Sequence, residues 1–373
     1  MVQQHTTIRA SACRRGVTLL ELLVVMLILL MVTAAAIPMM APALQNRRMR
    51  EAARLASSFI SGARARAIQS GRDVGVMIER FEGRPYAMSM SYVEVPPSYA
   101  GEFTGATCNI GRVATPNTPQ SAGNVPGGMT PIWYSIVVVP ATINTSLIRI
   151  RDEIQLNYQG AHLTILGPDT NNDGVLDQPT GMTYTIDAAA LWNTTPPPAR
   201  YQTPVAGLPF QIFRQPVRSS APPLQLPDGI IIDLMFSGSA PNPIWGNLGI
   251  APSNWSTTPP VLFNPVIVFT PGGSVSYLAT PNLTRPIGPI YLLLGRRELM
   301  ADVAKSGEDE NINDNSATPK NLYLENRWIT VGYQTGLVTT SEVRAILPTT
   351  LPTVPDVTKA REFAQSAQGI GGQ

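Results

Sequence analysis

Residues 17–37 read VTLLELLVVMLILLMVTAAAI, and this unbroken apolar run constrains the chain more than any other segment. As a helix, 21 residues rise about 31 Å, enough to cross the roughly 30 Å of a bilayer's hydrocarbon core. A helix in a soluble core is seldom apolar on every face. The run therefore predicts a transmembrane helix over 17–37. One residue breaks the pattern. Glu21 stands near the start of the run, where an unpaired carboxylate costs several kcal/mol in lipid and so needs a partner or a function.

Arg14, Arg15 and Gly16 come directly before the run, giving RRG followed by VTLLELLVVM. Here the chain resembles the class III signal of type IV prepilins and of type II secretion pseudopilins. The resemblance implies a leader over 1–16, cut after Gly16 on the cytoplasmic side by a prepilin peptidase that also methylates the new amino terminus at Val17. Glu21 then takes the place of the glutamate that the family carries early in the mature chain. Pro38 takes that of a proline found in many major pilins. The departure is Val17, where phenylalanine is usual.

A physical role for Glu21 follows from that cleavage. The freed α-amino group of Val17 has an ordinary pKa near 8 and is cationic at neutral pH. In a staggered stack of helices it meets Glu21 of a neighbouring subunit, each charge relieving the other and fixing the axial register. The simpler alternative is a glutamate that reaches back to the headgroups. Two rival readings of the run are weaker. A secretory signal ending at Ala34-Ala35-Ala36 would have an overlong apolar region and an unwelcome Glu21. An uncleaved anchor would leave the RRG pattern without a purpose. Counting positive charges does not decide orientation, because Arg47, Arg48, Arg50 and Arg54 follow the run and Arg9, Arg14 and Arg15 precede it.

Beyond the run, Met49, Ala52, Ala53, Ala56, Phe59, Ile60, Ala63, Ala67 and Ile68 recur at helical spacing, so an amphipathic helix is expected over 38–71. Pro38 should kink it, and Ser70-Gly71 should stop it. Val74, Val76 and Ile78 alternate, and Tyr86, Met88, Met90 and Tyr92 alternate again after a Gly-Arg-Pro turn. Residues 72–95 therefore read as a β-hairpin. The stretch from Ala63-Arg64 through Ala67-Ile68 and Gly71 into the valine-rich strand resembles the helix-to-strand junction of the H-type (GspH/FimT-like) minor pseudopilins.

Residues 96–225 are rich in Pro, Gly, Thr and Asn, with short strand candidates at 132–139, 148–156 and 163–166. They read as a large insertion into the sheet or a small accessory β-layer. Within them, Asp169, Asn171, Asp173 and Asp177 alternate around Gly174 like the opening of an EF-hand calcium loop, although Thr180 stands where the bidentate glutamate belongs. A tight Asn/Asp/Gly turn with no metal explains the same residues. Residues 226–347 return to strands, expected at 229–236, 261–270, 274–279, 289–294, 327–333 and 337–343, with Pro271-Gly272-Gly273 as a hairpin turn. Their end also resembles the closing strands of the same pseudopilins. An acidic loop at 308–314 reads as solvated. The Pro/Thr-rich tail, 348–373, reads as mobile, with a short amphipathic helix near 360–367.

Composition narrows the function classes. The formal charge is +2, and three of the arginines lie in the leader, leaving 24 basic against 25 acidic residues in the mature chain. Such a near-neutral chain has no general electrostatic reason to bind nucleic acid, and no aromatic platforms interleave the arginines of the helix. Cys13 falls in the leader, so Cys108 cannot close an internal disulfide and reads as a small semi-buried residue. His5 is in the leader too. His162 is then the single mature histidine and reads as structural. No phosphate-binding loop, serine-nucleophile or zinc motif occurs, and no enzyme is expected.

The fold class expected is α+β, with a long N-terminal helix, transmembrane and then amphipathic, on an antiparallel sheet carrying a large β/loop insertion. The resemblance implies a structural subunit, held in a bacterial inner membrane with its body in the periplasm and later built into a filament. Its partners would be the prepilin peptidase, other pilin or pseudopilin subunits, an inner-membrane assembly platform and lipid. A minor pseudopilin of a type II secretion system is the first expectation. A minor type IV pilin serving assembly, adhesion or DNA uptake is the second. An exported enzyme on a pilin-like anchor is the weakest. No cofactor is required by these readings beyond the candidate calcium.

Overall fold

The computed structural model describes residues 18–81, 86–103, 105–113, 133–138, 147–149, 151–160, 162–166, 183–186, 205–239, 264–280, 282–299, 326–344 and 354–371, with the backbone alone over 35–45 and in several strands of the middle part. Helix α1 (Leu19–Ser70) runs for 52 residues, about 78 Å at 1.5 Å per residue. Thr18 caps its start, its hydroxyl accepting from the Glu21 amide at 3.2 Å. Gly71 ends it in the left-handed region, φ 64°, with its amide donating to the Ala67 carbonyl. A residue with a Cβ is strained in that conformation, which is why the helix stops where the first glycine after Gly62 stands. Pro38 and Pro42 both lie inside α1.

The second half of α1 is sealed in the body. Met49, Ala52, Ala53, Ala56, Ile60, Ala63 and Ala67 are buried, and five of the seven are alanines. Small side chains along one stripe let backbone approach closely from several directions. A sheet uses that room by curling around the helix.

This sheet has eleven antiparallel strands. Along its main path lie β14 (Asn282–Thr284), β13 (Val275–Thr280), β12 (Val266–Phe269), β1 (Val74–Arg80), β2 (Tyr86–Glu94), β11 (Ile230–Ser239), β15 (Ile290–Arg296), β16 (Arg327–Val331) and β17 (Val338–Glu342). The far side of β2 is shared by three strands in succession. β11 pairs at Tyr86 and Ala87, β10 (Leu224–Gln225) at Ser89 and Met90, and β9 (Val217–Arg218) at Val93 and Glu94. Strand alternation puts Val76, Ile78, Met90, Ile232, Ile267, Phe269, Leu292, Leu294, Ile329 and Val331 into one core with the alanine stripe. A bulge in β11 between Asp233 and Gly238 is internally satisfied, with the Ser237 hydroxyl accepting from the Leu293 amide at 2.9 Å.

The middle segment closes into a barrel of its own. Its order is β3 (Thr107–Val113), β4 (Trp133–Val138), β7 (Thr183–Ile186), β6 (His162–Leu166), β5 (Glu153–Leu156) and β8 (Val205–Phe213), with β8 pairing back to β3. The barrel lies within the segment 96–225 that the sequence reading took as an insertion or accessory layer, and it has a nearer end. β9 and β10 already belong to the main sheet, so the barrel ends at Phe213. The two chains of the neck are zipped together. Tyr99 and Ile212 exchange both backbone hydrogen bonds, at 2.8 and 2.7 Å. The Asp152 carboxylate accepts from the Arg149 amide at 2.7 Å and from the Gln215 amide at 2.8 Å, fixing where the chain leaves the barrel.

In the tail, residues 354–371 form α2 (Val354–Ala360) and α3 (Glu362–Gly371), the second overlapping the short amphipathic helix expected near 360–367. Val357, Ala360 and Ala364 pack on Phe236, Tyr291, Leu293, Trp328 and Val343, on the sheet face away from α1. The reason is a polar fastening around Trp328. Its indole Nε1 donates to the Ala360 carbonyl at 2.9 Å. The Arg361 guanidinium donates to the Phe236 carbonyl at 2.6 Å and lies 4.6 Å from the Tyr291 ring. A Pro/Thr-rich composition conceals such an anchor, because it depends on one tryptophan and one arginine distant in sequence.

Candidate functional site

The site that the sequence singles out is the first half of α1. From Leu19 to Val32 its large apolar side chains are 46–81 % exposed, on all sides of the helix. Glu21 is exposed among them, in the first turn. An acid there is favoured by the partial positive charge of the helix start, and with Thr18 it completes the Thr-x-x-Glu pattern of a capping box. The helix is therefore two objects in one. The half from Met49 onward is covered by its own sheet, and the stretch from Leu19 to Val32 offers a continuous apolar surface that no described residue covers.

Among the described residues no helix is long and apolar enough to cross a membrane. The expected span of 17–37 reaches beyond them, because Val17 and the side chains of 35–37 lie outside the described residues. Gly16, Val17 and the other leader residues lie outside the described residues, and so does the side chain of Pro38. The candidate calcium residues Asp169, Asn171, Asp173 and Asp177 also lie outside them, as does the acidic loop. Among the described residues no group of three or more His, Cys, Asp or Glu is placed to hold a metal ion.

Arginines mark where the exposed half gives way to the covered half. Arg47, Arg48 and Arg50 are exposed on α1 just as Met49 enters the core. Farther along, the Arg66 guanidinium lies 3.9 Å from the centre of the Tyr92 ring, which also stacks on Phe59 with centroids 4.0 Å apart. This contact gives Arg66 a packing role. His162 sits in β6 with its Nδ1 3.1 Å from the Glu153 carboxylate and its ring stacked on Phe213. Cys108 is buried inside the barrel, and burial pushes its thiol up to about 12.

Residues 11–37 match the model of the prokaryotic N-terminal methylation motif. Comparison with curated proteins and with solved structures finds no match. The motif indicates a type IV pilin-like chain that a prepilin peptidase processes. It implies membrane anchoring, later residence in a filament and assembly with other pilin subunits. The matched segment holds Arg14, Arg15, Gly16, Val17 and Glu21, the residues on which the sequence reading rests, and it ends one residue before Pro38.

Proposed function

We propose that the chain is a minor pseudopilin of a type II secretion system, assembled into a periplasmic filament that drives protein export. The observation that carries this reading is the division of α1: an exposed, all-round apolar half continuous with a half locked in a sheet. A helix so divided serves a subunit that moves from lipid to a bundle of like helices. The rigid second half transmits position from the bundle to the body. In this account the exposed half is held in lipid until an inner-membrane platform extracts the subunit. It then enters the filament core without passing through water, since exposing the thirteen large apolar side chains from Leu19 to Val32 would be costly. The methylated amine of Val17 meets Glu21 of the neighbouring subunit and sets the register. The likeness to H-type pseudopilins at Ala63-Arg64, Ala67-Ile68 and Gly71 supports the secretion assignment.

The barrel over 107–213 favours a second reading, a minor type IV pilin that displays this module as a binding surface. Deleting the gene in the producing cell separates the two. Loss of exoprotein secretion with surface pili intact is the expected result. Loss of pili or adhesion with secretion intact would replace the first reading by the second.

A further inference from the structure

Between Glu21 and Arg47 the chain carries no charged residue. Both lie on α1, whose backbone is helical throughout that stretch, so the rise from one to the other is about 39 Å. A bilayer measures roughly 30 Å across its hydrocarbon core and about 40–45 Å with its headgroup layers. With Glu21 at one headgroup layer, Arg47 falls in the opposite one. The body begins at that same level, because Met49 is already buried in its core.

The end of the body that faces this level is basic. Arg47, Arg50 and Arg54 recur at helical spacing on α1, away from the buried stripe, and Arg48 stands on its flank. All four are exposed. The sheet adds a fifth. Ile230, at the start of β11, pairs with Arg296, at the end of β15, and the Arg297 amide donates to the Gly229 carbonyl at 3.0 Å. This strand end brings Arg296 and Arg297 to a cleft of about 170 Å³ that they share with Arg48. Arg296 is occupied there, its side chain 7 % exposed and 3.8 Å from the Glu298 carboxylate. Arg297 is exposed. The acids nearby are Glu51, Asp228 and Glu298. Among the described residues none of them forms an ion pair with Arg47, Arg48, Arg50, Arg54 or Arg297. A guanidinium keeps its charge at every physiological pH and meets a phosphate with two parallel hydrogen bonds.

We propose that this end of the body docks on anionic phospholipid headgroups of the leaflet that α1 leaves. Arg48 and Arg297 take one headgroup phosphate at the cleft between them, and Arg47 and Arg50 rest on its neighbours. The inference rests on the membrane anchoring that the methylation motif implies, and not on whether the filament serves secretion or a pilus. The level of the arginines on the helix selects lipid as the partner, and their uncompensated charge selects an anionic lipid over a zwitterionic one. The contact seats the body on the membrane before the subunit is drawn into a filament.

The test is arginine footprinting. The full-length processed protein is reconstituted into vesicles of phosphatidylcholine, alone or mixed with phosphatidylglycerol, and modified with phenylglyoxal. Peptide mass analysis reads the rate at each arginine. Phosphatidylglycerol should slow Arg47, Arg48, Arg50 and Arg297 by about fivefold. It should leave Arg72 and Arg218, exposed elsewhere on the body, unchanged. High salt should restore the fast rates. Arg297→Gln, at an exposed position, should return Arg48 toward its rate in phosphatidylcholine; an unchanged Arg48 overturns the shared phosphate. Flotation of the same samples reads the anchor separately. A chain that floats with both vesicles but is labelled equally in both keeps the anchor and overturns the proposal. A chain that floats with neither overturns both. The same slowing by inorganic phosphate in phosphatidylcholine vesicles, at matched ionic strength, assigns the cleft to a free anion. Slowing there that grows with protein density assigns the arginines to a second copy of the chain. Either result overturns the lipid.

Discussion

Arg64, two-thirds of the way down the sealed half of α1, donates from its Nε to the Gly273 carbonyl at 3.1 Å. The same nitrogen lies 3.0 Å from the Thr335 carbonyl. Gly273 belongs to the turn between β12 and β13, and Thr335 to the turn between β16 and β17. These strands are far apart along the sheet's order, yet they meet here because the sheet has curled around the helix. The Val275 amide donates to the Tyr333 carbonyl at 2.9 Å across the same seam. Arg64 therefore joins the two ends of the wrapped sheet to the helix inside it.

Arg64→Ala should lower stability by about 1–2 kcal/mol, within the range for hydrogen bonds to a charged group at a partly wet site. Gly336→Ala should cost more. Its φ is 63°, where a Cβ is strained by about 1–2 kcal/mol, and the new methyl would press on the Gly273 carbonyl. Thermal unfolding of both variants, followed by near-ultraviolet dichroism, checks this order. Equal stability of the three proteins would mean that the seam does not hold the wrap.

Cys108 should be inert in the folded chain. With its thiol buried and pushed up to about 12, the nucleophilic thiolate is nearly absent at pH 8. Iodoacetamide should label it only after denaturation, as mass analysis of the alkylated protein would show. Rapid labelling of the native protein would mean that the barrel opens.

Asp152 should make the neck pH-sensitive. Burial pushes its carboxyl to about 6, against 3.8 for a free one, even though two backbone amides favour its charged form. The folded state therefore holds a proton that the unfolded state releases between those values. Stability from this group falls as pH rises from about 4 to about 6, by roughly 3 kcal/mol in all. Asp152→Asn removes the dependence. The difference in stability between wild type and variant should shift against wild type as pH rises from 4 to 7. A constant difference would contradict it.

Glu21→Ala should leave processing intact and abolish assembly. The glutamate lies beyond the cut, and its expected partner is the amine of another subunit. A processed chain that stays in the membrane fraction is the expected result, read by fractionation and terminal mass. Normal incorporation of the variant into filaments would assign Glu21 to helix capping with Thr18 alone.

Much of the fold was legible in the sequence where pattern is local. The stripe Met49, Ala52, Ala53, Ala56, Ile60, Ala63 and Ala67 is buried as its spacing requires, while Ile68, on the edge of the stripe, is 48 % exposed. Gly71 stops the helix, and the alternation Val74, Val76, Ile78 faces the core. The expected strands around 230, 267, 276, 291, 329 and 340 all form. What escaped was closure. Pairing of Cys108 with Leu208, a hundred residues on, makes the barrel, and most of its strands are too short to declare their partners. β8 even contains Pro209. The docking of Arg361 on Trp328 and Tyr291 was hidden for the same reason. The meeting of Arg48 with Arg297 could not be read either, because the two come together only once β15 has packed beside α1.

The account turns on what happens at Gly16. Mass spectrometry of the membrane-purified protein determines the mature amino terminus directly. The account predicts a chain that begins with N-methylated Val17. A chain beginning at Ile37, or one that still carries Met1, would contradict it.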